Sequence, residues 1–274
     1  MKNFLTFPKI KLTDLKNKNS YMVARLGATE SKAVIYPKIP KFLKPLVKNI
    51  IFKRMYIWSG FFPVNEENIK KFSILYKNEL DNTDILASWR IEEKLIPEIK
   101  KIKNIINLRD LEAYYSNDPW TKLLYDKKVL IVHPFSETII KQYKNRKNIF
   151  TNQNILPEFQ IDTVKAVQSL SGEDKRFKSW FDALDYMKNE MSKKTFDIAL
   201  IGCGAYGLPL AGHAKRLGKI GIHLGGSLQL LFGIKGKRWD NDPQVNKFYN
   251  DYWVRPSESD KPKNYIKVGD GCYW

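Results

Sequence analysis

The sequence predicts an α/β fold, a Rossmann-like and mostly parallel sheet flanked by helices. Three observations carry this expectation. Phe196-Asp-Ile-Ala-Leu-Ile201 runs into the glycine turn Gly202-Cys-Gly204-Ala-Tyr-Gly207, then a helical stretch over Leu208–Leu217, then Lys219-Ile-Gly-Ile-His-Leu224. Strand, turn, helix and strand in that order form a βαβ unit, with parallel strands and a right-handed crossover. Lys128-Val-Leu-Ile-Val-His133 reads as a further buried strand. Of the 274 residues, 43% are hydrophobic and 13% aromatic, enough to build a sizeable core.

The other elements follow in chain order. Tyr21–Arg25 reads as a short strand entering a glycine-containing loop that reaches Glu30. Pro37–Phe62 is a basic helical insertion: Lys38, Lys41, Lys44, Lys48, Lys53 and Arg54 alternate with apolar residues, and no acid is present. Pro40 is placed to open this helix and Pro45 to bend it. Glu66–Leu80 has the pattern of a polar amphipathic helix, and Asp84–Trp89 that of a strand. Lys100–Arg109 mixes Lys and Ile at a spacing that fits no element. Pro134–Glu137 is the turn after the Lys128–His133 strand, and helices are expected over Glu137–Arg146 and Phe177–Lys193. From about Pro256 the tail is irregular, and its terminal Tyr273 and Trp274 are expected to dock on the protein. The whole of 1–274 reads as a single α/β domain.

Composition narrows the function. Lys and Arg number 47 against 29 Asp and Glu, a net charge of +18, which favours an anionic partner: nucleic acid, a membrane surface or a phosphorylated ligand. No nucleic-acid motif is present, so no nucleic acid is expected as partner. Two cysteines exclude a disulfide scaffold and a cysteine zinc site. No apolar run reaches the ~18 residues of a spanning helix, and the lysine-rich start over Met1–Ser20 lacks the apolar core of a signal peptide. A cytoplasmic location is expected.

Residues 202–207 match G-x-G-x-x-G between a strand and a helix, where backbone N–H groups and the helix N-terminus favour phosphate. Pro209 suits the first helical turn. A nicotinamide site would add a carboxylate about 20 positions on, but the next strand ends His223-Leu-Gly225-Gly226. Ligands in open α/β sheets sit at the carboxyl ends of strands. The loops after Arg25, His133, Ile201 and Leu224 therefore converge, offering Arg25, Glu30, His133, Ser136, Glu137, Tyr206, His223 and Gln229, with Lys235, Arg238 and Trp239 just beyond. Such a set suits an anionic, hydroxyl-rich ligand, with Tyr206 or Trp239 for stacking. Each member also has a plainer reading: core histidines, an Arg25–Glu30 surface pair, a solvated basic turn.

Arg25-Leu-Gly27-Ala-Thr-Glu30, Pro119–Tyr125, Val132–Ser136, Ala199–Pro209 and His223–Trp239 together resemble the GT-D type of bacterial glycosyltransferase, associated with capsule and surface-polysaccharide genes. The resemblance implies a GT-D-like fold. It implies transfer of a sugar from a nucleotide-sugar donor to a lipid-linked glycan acceptor near the inner face of the membrane, and Pro37–Phe62 has the composition of an interfacial segment for peripheral contact with an anionic surface, or of a packed helix with a solvated basic face. No organic cofactor is implied. In the family an Asp-x-Glu element holds the donor diphosphate through a divalent cation (Mg or Mn). Here Ala28 stands in place of the Asp and only Glu30 matches. Catalytic candidates are Glu30, His133 and His223. The donor side is assigned Arg25, Gly27, Ser136, Gly202, Gly204, Tyr206, Gly207, Gly225, Gly226, Gln229, Lys235 and Arg238. The alternatives are an NAD-linked oxidoreductase, resting on the glycine turn, and a non-catalytic basic binding protein, resting on the charge.

Overall fold

A computed structural model describes residues 19–169 and 174–274. Most of the Met1–Ser20 segment lies outside the described residues. Seven strands form one sheet: β1 (Tyr21–Arg25), β2 (Ile85–Ser88), β3 (Asn104–Asn107), β4 (Lys128–His133), β5 (Gln160–Lys165), β6 (Ile198–Ile201) and β7 (Ile220–His223). Their order is β3-β2-β1-β7-β6-β4-β5, and every pairing is parallel. The fold is thus Rossmann-like α/β, as the βαβ pattern predicts.

The helices used below are α1 (Ala28–Ile35), α2 (Lys44–Trp58), α3 (Glu66–Asp81), α4 (Ser136–Lys144), α5 (Trp180–Ser192), α6 (Gly207–Arg216) and α7 (Ser227–Leu231). Alternation along the strands builds two cores. Met22 and Ala24 of β1 face one core with residues of α1, α2, α3, α5 and α6. Val23, between them, faces the other with residues of α4, α7 and the C-terminal tail. The same alternation splits β4, with Leu130 and Val132 on the first face and Val129 and Ile131 on the second. At Gly221 of β7 an added Cβ would lie 2.3 Å from the Ala211 carbonyl oxygen, so α6 sits directly on the sheet.

Crossover handedness places the site. β1 to β2 and β6 to β7 step the same way across the sheet, so α1 and α6 lie on one face. β4 to β5 steps the opposite way, so α4 lies on the other. After β7 the chain enters α7 on that second face. Neighbouring strands β1 and β7, and β6 and β4, therefore send their chains to opposite faces, which opens a crevice at their carboxyl ends.

Three local expectations change. The stretch after β1 is a helix rather than a loop: Gly27 is the extended N-cap of α1, and Glu30 stands in its first turn, where an acid suits the helix dipole. Pro45 does not bend α2; it lies in the first turn, where its missing N–H costs no hydrogen bond, after a turn in which Pro40 accepts from Leu43 and Lys44. The unassigned Lys100–Arg109 segment contains β3, and β5 adds an edge strand that the sequence reading lacks. Tyr273 and Trp274 dock as expected: Trp274 is buried edge-on against Phe135, and its carbonyl accepts the Lys237 N–H at 3.1 Å. Among the described residues no helix is long and apolar enough to cross a membrane.

Candidate functional site

A cavity of about 420 Å³ opens where β1, β4, β6 and β7 end. That size falls in the range of small-molecule sites. Its wall includes Arg25, Gly27, Glu30, His133, Gly202, Gly204, Tyr206, His223, Gly225 and Gly226. Trp58, Trp89, Glu112, Arg238, Trp239, Tyr273 and Trp274 close it from outside the strand ends. A second cavity of about 450 Å³ lies at the opposite, amino edge of β1–β3, beside the exposed Lys101–Asp81 ion pair. The carboxyl-edge cavity is the one that gathers buried polar groups at a topological switch point.

Arg25 ends β1 half-buried. Its guanidinium lies over the Trp89 ring at 5.5 Å and against Gly225, where an added Cβ would come within 2.3 Å of Nη1. The Trp89 indole is fixed by donating to the Leu26 carbonyl at 2.8 Å. Among the described residues the ion-paired arginines are Arg90, Arg146, Arg176, Arg216 and Arg255; neither cavity arginine, Arg25 or Arg238, is one of them. The Arg25 Nε is buried with no hydrogen-bond partner. Glu30 is buried and accepts the Ser59 hydroxyl at 2.6 Å, so its bond goes to the end of α2 rather than to Arg25. Gly27 leaves it room: an added Cβ there would fall 1.8 Å from the Glu30 Oε2.

The two cavity histidines are neutral and of opposite tautomer. His133 Nδ1 accepts the Phe135 N–H at 2.9 Å, which assigns its proton to Nε2. His223 Nδ1 meets the Arg25 carbonyl at 3.1 Å and must donate, which leaves Nε2 as an acceptor packed against Gly207. Burial lowers the His133 pKa to about 3. Burial, reinforced by the Arg25 charge, does the same to His223, also to about 3. Neither ring supplies positive charge at neutral pH. His213, on α6, bonds Ser192 and Lys188 away from the cavity.

In the glycine turn the first and third glycines serve packing. An added Cβ at Gly202 would lie 2.8 Å from the His133 ring, and one at Gly207 would lie 2.2 Å from His223 Nε2. Gly204 is different: its φ is +57°, and nothing lies within 4 Å of where a Cβ would point. The turn is closed by Tyr206 N–H to Cys203 and Gly207 N–H to Gly204, and is anchored by the Tyr76 hydroxyl donating to Ala205 at 2.6 Å. Those closing bonds do not use the N–H groups of Cys203, Gly204 and Ala205. Beside them stand Arg25 and the His133 donor, a set suited to phosphate oxygens.

Other expected residues are placed differently. Tyr206 is stacked on Trp180 at 4.8 Å, and its hydroxyl bonds Ser169 at 2.6 Å, so its ring is already occupied. Gln229 is buried and spends its amide on the carbonyls of Ile234, Lys235 and Tyr273, which ties the tail down. Lys235 Nζ lies over the Tyr249 ring at 5.2 Å. Ser136 is buried in the first turn of α4, and Glu137 pairs outward with Lys165 at 2.9 Å. None of Ser136, Glu137, Gln229 or Lys235 lines the cavity. Arg238 does; it donates to the Tyr273 hydroxyl at 2.9 Å.

Glu112 is the lining residue that sequence reading missed. It follows the short helix Leu108–Leu111, beyond β3, and burial raises its carboxyl pKa against the opposing charges of Arg25 and Arg109. In the sequence it stands in Arg109-Asp-Leu-Glu112-Ala-Tyr-Tyr, close to another acid, and nothing local marks it. Among the described residues no three His, Cys, Asp or Glu side chains converge as a metal-binding group. Ala28, also on the wall, offers no ligand beside Glu30, so the residues present do not form a protein-built cation cage. The chain matches no family model, no curated protein and no solved structure.

Proposed function

We propose that this cavity transfers a sugar from a nucleotide-sugar donor to a hydroxyl of a glycan acceptor, in the manner of the GT-D-type enzymes of bacterial surface-polysaccharide synthesis that the sequence blocks resemble. The observation that carries the reading is the pair of cavity arginines, Arg25 and Arg238, which form no ion pair among the described residues and share the cavity wall with the 202–207 turn and two carboxylates, Glu30 and Glu112. In the reaction the acceptor oxygen attacks the anomeric carbon. The bond from that carbon to the diphosphate oxygen breaks, and its electron pair leaves with the nucleoside diphosphate. Arg25, Arg238, the N–H groups of the 202–207 turn and the His133 Nε2–H face the charge that develops there. Glu30 orients the acceptor hydroxyl and takes its proton. His223, neutral and held by the Arg25 carbonyl, fixes the end of β1.

An oxidoreductase reading rests on the same glycine turn but lacks a ribose-binding carboxylate after β7. A thermal-shift panel of nucleotide sugars, nucleoside diphosphates, NAD(H) and oligonucleotides at two salt concentrations tests the assignment. A nucleotide sugar is expected to raise the melting temperature, and Arg25→Ala to remove that shift. Stabilisation by NAD(H) or oligonucleotide alone would overturn it.

A further inference from the structure

One helix at the cavity has a solvent face unlike the others. α2 turns Ile51 and Met55 into the core. Outward, at intervals of four residues, stand Phe42, Leu46 and Ile50, which are 78%, 71% and 57% exposed. Four-residue spacing stacks the two helical members on one face, and Phe42 extends the row past the helix start. By contrast, the solvent side of α3 carries Glu66, Glu67, Lys70 and Lys71. The apolar row is flanked by exposed Lys38, Lys41, Lys53 and Arg54. The remaining lysines are used internally: Lys48 pairs with Glu66 at 3.1 Å, and Lys44 lies over the Tyr36 ring at 5.1 Å. No Asp or Glu occurs from 31 to 65.

An exposed apolar ridge on a basic helix requires a cover that is both apolar and anionic. A second copy docking through the same face would oppose its own cations. Phe42, Leu46 and Ile50 line neither of the two cavities described above. We propose that α2 docks on an anionic lipid surface, with Phe42, Leu46 and Ile50 at the headgroup–acyl boundary and Lys38, Lys41, Lys53 and Arg54 on lipid phosphates. Trp58, at the end of the same helix, lines the cavity, so docking sets the cavity rim beside the lipid. That a membrane-borne acceptor is thereby delivered rests on the glycosyl-transfer reading; the docking itself does not.

The full chain is sedimented with vesicles of phosphatidylcholine alone or of phosphatidylcholine mixed with phosphatidylglycerol. Binding is expected only with the anionic lipid, and it should weaken as salt is added. Leu46→Glu combined with Ile50→Glu should abolish it, and Lys53→Gln combined with Arg54→Gln should weaken it about 30-fold. Both double variants should melt as the parent does and keep its nucleotide-sugar thermal shift, which separates this test from that of the cavity. Equal binding to both vesicle types, or to neither, overturns the proposal. So does a concentration-dependent dimer dissolved by Leu46→Glu, which would assign the ridge to a second copy.

Discussion

At the amino edge of the sheet, Asp84 accepts the Met22 N–H at 2.7 Å and pairs with Lys215 at 2.7 Å, while Asp197 accepts the Lys128 N–H at 2.9 Å. At the carboxyl edge, Arg25 keeps a buried Nε without a partner, two histidines stay neutral, and Glu112 is held near cations without an ion pair shorter than 4.0 Å among the described residues. Both edges are rich in polar groups. At the amino edge Asp84 and Asp197 tie strand ends, although Asn82 Nδ2 and Glu98 Oε2 are left without partners there; at the carboxyl edge a cation, two neutral rings and two carboxylates share one cavity. A buried cation held without an ion pair lowers stability unless something binds it, so Arg25, in a cavity with neutral histidines and two carboxylates, marks where a ligand belongs.

The sharpest test is Glu30→Gln. The amide oxygen can still accept from Ser59, so the fold and donor binding should persist while turnover falls by ~10²–10⁴-fold in a steady-state assay. Full turnover would remove Glu30 from the chemistry. Next is Arg25→Ala, which should weaken nucleoside-diphosphate binding by ~10–100-fold in calorimetry, the scale of a lost charged hydrogen bond of ~1.5–3 kcal/mol. Because Arg25 Nε has no partner in the free protein, the variant's own stability should change far less than its affinity.

The third test uses pH. His133 and His223 have depressed pKa values in the folded state, so the unfolded chain binds more protons between about pH 6.5 and about pH 3. Stability should therefore fall as pH falls through that window, by up to about 1.4 kcal/mol per pH unit for each histidine. Glu93 and Glu112, raised by burial, act in the opposite sense. The readable quantity is accordingly the slope lost in His133→Gln, followed by urea denaturation across that range. An unchanged slope would show that His133 titrates as a solvated ring. The smallest effect belongs to the amino edge: Asp84→Asn should cost ~1 kcal/mol of stability and leave turnover unaltered. A loss of activity there would blur the contrast between the edges.

The interior of the sheet was legible because β4, β6 and β7 each carry an unbroken run of apolar or glycine residues and the glycine turn marks the crossover between two of them. The edges were not. β3 is Asn-Ile-Ile-Asn and β5 is Gln-Ile-Asp-Thr-Val-Lys, each with a single fully buried position, so neither carries enough apolar alternation to stand out from its lysine-rich surroundings. Of the site, the convergence of strand ends followed from the parallel sheet, which put Arg25, Glu30, His133 and His223 on one wall. What pattern could not supply was side-chain commitment. Gln229 and Tyr206 have the chemistry of ligand groups but are consumed by the tail carbonyls and by Trp180. Glu112 reaches the cavity through a packing of β3 that no local signal announces.

The glycines of the carboxyl edge have a consequence for anyone redesigning this protein. Gly27 with Glu30 and Gly207 with His223 are matched positions, in which the absent Cβ is the space that the polar side chain fills; Gly202 also meets the Gly225 carbonyl and the Leu228 Cβ, and Gly225 holds a φ of +63°. Alanine at Gly27 or Gly207 evicts its partner, whereas shrinking the partner frees that glycine to change; at Gly202 and Gly225 the backbone itself stands against a side chain. A library that varies Gly27 and Gly207 alone will find little tolerated, while one that varies each together with its partner, as two linked pairs, samples more of the shapes this cavity can adopt.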